Sequence, residues 1–132
     1  MTSSSEELEI QKLTQNFLRK KMFVMIRHPL KTELAKIHFK DHLNWVIDME
    51  KSGKVFCSGP FVESKATEGR PGSPAGGMTI VRAANKDEAI ELVNTDPYVI
   101  NSVVSFEMKE WLVMEGGFNL KVSFSQGSYE ME

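Results

Sequence analysis

His38 and His42 stand four residues apart, the spacing that brings two imidazoles onto one face of a helix and can offer both to one metal ion. A metal site needs further protein ligands, and no Asp or Glu stands at an evident position to supply one. The intervening Phe39-Lys40-Asp41 also departs from the His-Glu-x-x-His pattern of metalloproteases. No metal is expected. His42 differs from His38 in its neighbours, lying on a stripe with Trp45 and Met49 at the border of an apolar ridge. A half-buried imidazole there can titrate near neutrality and act as a general base, although a satisfied core histidine is the commoner outcome of such a pattern. Asp96 precedes Pro97, where a carboxylate ordinarily serves as a turn former.

Cys57 is the single cysteine, so the chain has no intrachain disulfide. Set in Val55-Phe56-Cys57, without a Cys-x-x-Cys partner or an adjacent basic residue, it reads as a small buried hydrophobe. The glycines at 69, 72, 76 and 77 do not make a phosphate loop. No Gly-Lys-Ser/Thr accompanies them, and the segment feeds a strand instead of a helix N-terminus. The expectation is therefore no cofactor of either kind, metal or nucleotide.

With 132 residues, 41% hydrophobic and 26% charged, the chain fits one globular domain with a narrow core, which oligomerisation would help to cover. A net charge of −2 argues against nucleic acid, whose phosphates call for a basic face. The one basic cluster, Arg19-Lys20-Lys21, is too short to provide it. The acidic, polar N-terminus lacks the apolar core of a secretory leader, and no stretch approaches a membrane span. A cytoplasmic setting is expected, with neither membrane nor nucleic acid as partner.

The elements that must position these residues follow from the hydrophobic pattern. Residues 1–21 read as a helical extension, with a capping-box pattern at Ser4-x-x-Glu7 and Ile10, Leu13 and Phe17 at helical spacing. Residues 22–132 read as a single domain. Met22 to Ile26 is a continuous apolar run, expected to be a central strand covered on both faces and ended by Pro29. From about Thr32 to Ser52 the spacing predicts a helix, with Ala35, Phe39, Leu43, Val46 and Glu50 along one ridge and His38, His42, Trp45 and Met49 beside it. Gly53 suits its left-handed stop.

Lys54 to Ser58 is a second strand, broken at Gly59-Pro60. Residues 64–76 hold the densest Gly and Pro content and read as a mobile hairpin loop before a third strand, Met78 to Val81. Asn85-x-x-Glu88 opens a second helix that carries Ala89, Leu92 and Val93 and ends near Asp96-Pro97. Val104, Phe106 and Met108 alternate with polar residues in a fourth strand, and beyond Gly116-Gly117 the residues Phe118, Leu120, Val122 and Phe124 do so in a fifth. The order β-α-β-β-α-β plus one strand is the ferredoxin-like arrangement of the α+β class, with both helices on one face of an antiparallel sheet. The other face needs cover, and a second copy packed sheet on sheet would make a homodimer.

His42, a glycine eleven residues on at Gly53, Ser58-Gly59-Pro60, a Gly-Gly strand and Asp96-Pro97-Tyr98 follow one another in this order. In combination they resemble the YCII-related family over roughly residues 22–112. The resemblance implies a dimeric α+β barrel of ferredoxin-like subunits, with a pocket between helices and sheet. Relatives in fold include muconolactone isomerase-like proteins and a dehydrochlorinase of chlorinated hydroxyhydroquinones. It also implies a His–Asp dyad, carried here by His42 and Asp96. Residues 1–21 and the strand after Gly116 depart from the short form of the family.

A dyad of that kind needs neither metal nor nucleotide. Asp96 would hold one imidazole nitrogen and support the charge that develops as His42 takes a proton, which suffices for enolisation, double-bond migration or elimination. Trp45, one turn beyond His42, can stack on an aromatic or lactone ring, though core packing is the simpler use of an indole there. Ser58 and Tyr98 can donate hydrogen bonds to a substrate oxygen, and Arg27 at the end of the first strand can pair with a carboxylate or phenolate. The reading is a small lyase or isomerase acting on a small oxygenated ring compound of the aromatic-degradation type. The alternative is a non-enzymatic dimeric module that binds a small molecule in the same pocket. Whether His42 and Asp96 meet inside a cavity discriminates the two.

Overall fold

Side-chain caps set the starts of three helices. The structure, a computed structural model, describes residues 4–65, 71 and 75–132. In chain order the elements are α1 Ser5–Thr14, β1 Lys20–Pro29, a 3-10 turn Thr32–Leu34 leading into α2 Ala35–Lys51, β2 Val55–Pro60, β3 Gly77–Val81, α3 Lys86–Val93, α4 Pro97–Ile100, β4 Val104–Val113, β5 Leu120–Ser123 and β6 Ser128–Met131. They divide into two compact units: residues 21–112, and the segments 1–20 and 113–132 together. The larger part of the glycine- and proline-rich stretch at 64–76, read above as a mobile loop, lies outside the described residues. Among the described residues no helix is long and apolar enough to cross a membrane.

In the unit 21–112 four strands form one sheet in the order β2-β3-β1-β4, with β1 and β2 both antiparallel to β3. This is the ferredoxin-like order, and β1 takes the central place that its apolar run predicts. Phe23 and Met25 are buried with Val81, Val55 and Met108 beneath Trp45 of α2 and Ala89 and Val93 of α3. Both helices thus share one face of the sheet. The alternate residues Val24 and Ile26 are only half-buried, so β1 is not covered on both faces within this unit. Burial of large apolar side chains at about 1.5–3 kcal/mol each is what fixes the helices to the first face.

Helix α2 turns inward along both expected stripes, with Ala35 and the half-buried Phe39 and Val46 from the first and His42 and Trp45 from the second. Ala35, His42 and Trp45 are buried, whereas Leu43 and Glu50 are exposed. The indole decides this orientation. It carries the largest apolar surface on the helix, and its Nε1 reaches Thr95 Oγ1 at 2.8 Å, which satisfies the one polar atom that burial would otherwise strand. Gly53, with φ +77°, ends the helix as expected.

The second expected helix is α3, and a further short helix, α4, follows its expected end. Asn85 caps α3, its side chain accepting from Glu88 N at 2.8 Å. The chain leaves α3 at Asn94, and Asp96 then caps α4, with Pro97 in its first turn. A proline cannot continue a helix, because it lacks the amide proton and its ring meets the preceding turn, yet it suits a first helical position. Asp96 therefore opens an element instead of closing one.

Cys57, expected inside, is exposed. It lies on the edge strand β2, just beyond a register shift between Val55 and Cys57, and beside the inward-facing Ser58. Alternation turns it away from the helices.

In the other unit, Ser4 Oγ accepts from Glu7 N and Glu7 Oε2 accepts from Ser4 N, so both halves of the capping box form. Leu18 N donates to Met114 O at 2.9 Å. The expected fifth strand exists but does not join the four-stranded sheet. It pairs with β6, Leu120 opposite Met131 and Val122 opposite Tyr129, in a hairpin of its own. Gly127, at φ +57°, supplies the left-handed turn residue.

Candidate active site

One oxygen organises the centre of the site. Asp96 Oδ1 accepts from the backbone N–H of Tyr98 at 2.9 Å, which caps α4, and lies 2.8 Å from His42 Nδ1. A carboxylate has no proton to give, so Nδ1 carries the hydrogen, and whenever the ring holds a single proton Nε2 is its acceptor nitrogen. Asp96 is fully buried and His42 is 8% exposed. Asp96 Oδ2 has no partner among the described residues.

The imidazole is also held across its face. The Tyr98 ring lies parallel to it, with centroids 4.1 Å apart and 8° between the planes, and the Tyr98 hydroxyl donates to Ala35 O at 3.3 Å. Because Tyr98 follows Asp96 by two residues, a single turn of chain supplies both the carboxylate and the stacking ring. Helix α2 brings His42 down onto them.

Arg27 enters from β1 and is 7% exposed. Its Nη1 donates to Thr79 Oγ1 and its Nη2 to Gly59 O at 3.2 Å, while Ser58 Oγ and Thr79 Oγ1 share a hydrogen bond at 2.7 Å. Burial lowers the guanidinium's pKa from its usual value, and the negative charge of Asp96 and then Tyr98 act against that fall.

These groups face a cavity of about 300 Å³ whose lining includes Arg27, His42, Ser58 and Tyr98 against the apolar Phe39, Leu43, Val46, Val103 and Val104. The size suits a ligand of one ring, at the small end of ligand pockets. Of the residues singled out from sequence, His42, Asp96, Arg27, Ser58 and Tyr98 come together here. Trp45 does not line the cavity. It is part of the core, with its ring centroid 6.4 Å from that of His42 and its polar atom spent on Thr95. His38 is half-buried and also off the cavity wall. Among the described residues no three His, Cys, Asp or Glu side chains gather as a metal site would require.

Two hydroxyls were not anticipated. Thr79, fully buried, links Arg27 to Ser58, and Thr95 holds the indole. The only trace of Thr79 in the sequence is a polar residue at the inward phase of an apolar strand, a pattern that β-propensity alone explains equally well.

A model of the YCII-related domain matches residues 21–112. A search of curated proteins found no match. Among solved structures the chain is similar to 5-chloro-2-hydroxyhydroquinone dehydrochlorinase from Burkholderia phenoliruptrix, in complex with 2,5-dihydroxybenzoquinone. The identity is 18% and the TM-score 0.57, over 68% of this chain and 92% of that one. At this identity the likeness speaks for the shared α+β fold. The family match spans the same residues as the four-stranded unit and every residue of the cavity wall. The chain belongs to the YCII-related domain family.

Proposed function

We propose that this protein is a cofactor-independent lyase or isomerase that moves a proton on a small oxygenated ring compound, with His42 as the general base and Asp96 as its partner. The observation that carries the reading is the 2.8 Å contact between His42 Nδ1 and Asp96 Oδ1 beside the cavity. With Nδ1–H committed to the carboxylate, Nε2 takes a proton from a ring C–H or O–H. The electron pair released by a C–H moves into a new double bond or onto the ring oxygen as an enolate. In an elimination the leaving group departs with its own pair; in an isomerisation the proton returns at another carbon. Asp96 stabilises the imidazolium formed meanwhile. Ser58 and Arg27 hold the substrate oxygen, and Tyr98, its hydroxyl already donated to Ala35, contributes its ring by keeping the imidazole in plane. The likeness to an enzyme named for dehydrochlorination supports elimination as the reaction to test first. The active form is a homodimer with the open faces of two sheets packed together.

The test is chloride release from chlorinated hydroxyhydroquinones, with double-bond migration in unsaturated lactones as a second assay. His42→Ala should lower turnover by about 10²–10⁴-fold with an unchanged melting temperature, as expected for loss of a positioned proton-transfer group. A well-folded His42→Ala protein of full activity would reject the assignment. A wild type that binds such rings tightly and turns none over is instead a binding module.

A further inference from the structure

Among the described residues Arg27 is the one buried guanidinium of the cavity wall, and its hydrogen-bond partners are all neutral, the Asp96 carboxylate acting on it only from beyond ion-pair distance. Among the described residues Lys21 pairs with Glu110, and His28 with Glu107 and His42 with Asp96 make ion pairs only when the imidazole is protonated; none involves Arg27. A guanidinium has five N–H donors. Here one from each terminal nitrogen goes to Thr79 Oγ1 and Gly59 O, and the rest have no partner among the described residues. Tying β1 to β2 and β3 would not require a charge, and an unpaired buried charge is among the costliest groups to desolvate.

The backbone around Arg27 is cut to fit it. A Cβ on Gly77 would lie 2.4 Å from Arg27 Nη2 and 2.8 Å from Gly59 O, so any side chain there displaces the guanidinium. Gly76, at φ +75°, is as tightly confined: a Cβ there would stand 2.2 Å from Arg27 O. The Ser58–Thr79 pair holds Nη1 from the other side. The cation is thus gripped at two donors and lines an otherwise largely apolar cavity.

We infer that the cavity takes its ligand as an anion, a ring bearing a carboxylate, phenolate or enolate oxygen, with that oxygen against Arg27 and the ring among Phe39, Leu43, Val46 and Val104. The inference rests on the cavity being the ligand site, as proposed above, but not on catalysis by His42. Arg27 is then the residue that selects substrate by charge. A neutral ring of the same shape leaves the guanidinium unpaired, so discrimination comes from the penalty on the wrong ligand as much as from attraction to the right one.

Benzoate and benzamide, equal in shape and unequal in charge, test this by NMR titration at neutral pH. Wild type should bind benzoate about 10–100-fold more tightly than benzamide, the range for a hydrogen bond to a charged group over a neutral one. Arg27→Met should lose the preference, and Arg27→Lys should retain part of it. The preference is read from binding alone and needs no turnover, which separates this inference from the fate of the proton-transfer reading. Equal affinities in wild type overturn the inference, as does binding of neither ligand up to its solubility limit. A preference that survives in folded Arg27→Met overturns it too. The wild-type comparison stands even if Arg27→Met does not fold.

Discussion

Asp96 Oδ1 has two bonds to keep, one structural and one to the imidazole, and two substitutions separate them. Asparagine is as good an N-cap as aspartate, so Asp96→Asn should leave α4 and the melting temperature nearly intact while removing the counter-charge from His42. Turnover should fall, though by less than in His42→Ala. The double variant should be little worse than His42→Ala alone, since residues acting as a unit are not additive. Asp96→Ala loses the cap as well, and should cost about 1 kcal/mol or more of stability. Chemical denaturation beside initial rates reads both effects. Equal stability losses in the Asn and Ala variants would mean that the charge, and not the cap, holds α4.

At the scale of elements, the site depends on how closely β3 approaches β1 and β2. Gly77 pairs with Arg27 on one side and Pro60 on the other, and its missing side chain leaves the space that Arg27 Nη2 occupies. Gly77→Ala should therefore destabilise by about 1–3 kcal/mol, the usual cost of overpacking, and should weaken binding of anionic rings by displacing the guanidinium. Thermal melts and the benzoate titration measure the two parts. A Gly77→Ala protein with unchanged melting and unchanged benzoate affinity would show that the guanidinium is not confined there. Cys57 illustrates the same dependence on phase. Its apolar neighbours suggest burial, yet one step along an edge strand separates it from the inward-facing Ser58 and puts it on the outside.

For the whole molecule, the question is what covers the second face of the sheet. Val24, Ile26 and Met78 are half-buried there, with Ile26 directly across from Met78. Leu120 and Val122 of β5 lie in a separate hairpin and are not strand positions of this sheet. The homodimer proposed above should then depend on the β1 and β3 positions. Light scattering at micromolar concentration should give twice the chain mass for wild type, and Ile26→Asp should give a monomer or a marked loss of stability. A monomeric wild type would exclude the sheet-on-sheet assembly.

Local patterns determined much of this protein: the central strand at Met22 to Ile26, the capped starts of α1 and α3, the alternation of β4 and the four-strand order they imply. Those signals are short-range, arising from side-chain periodicity and from caps within one turn of chain. The pairing of His42 with Asp96 was legible only through likeness to a family, since neither residue carries a local mark of the other. Only the tertiary structure decided how α2 divides its two stripes between core and cavity, because Trp45 needed Thr95 from another element to bury its nitrogen. Only it placed Thr79 between Arg27 and Ser58 and set a further short helix, α4, on the Asp96 cap. It also paired β5 with β6, a choice between strands of similar pattern that hydrogen bonding across the chain makes and periodicity along it cannot.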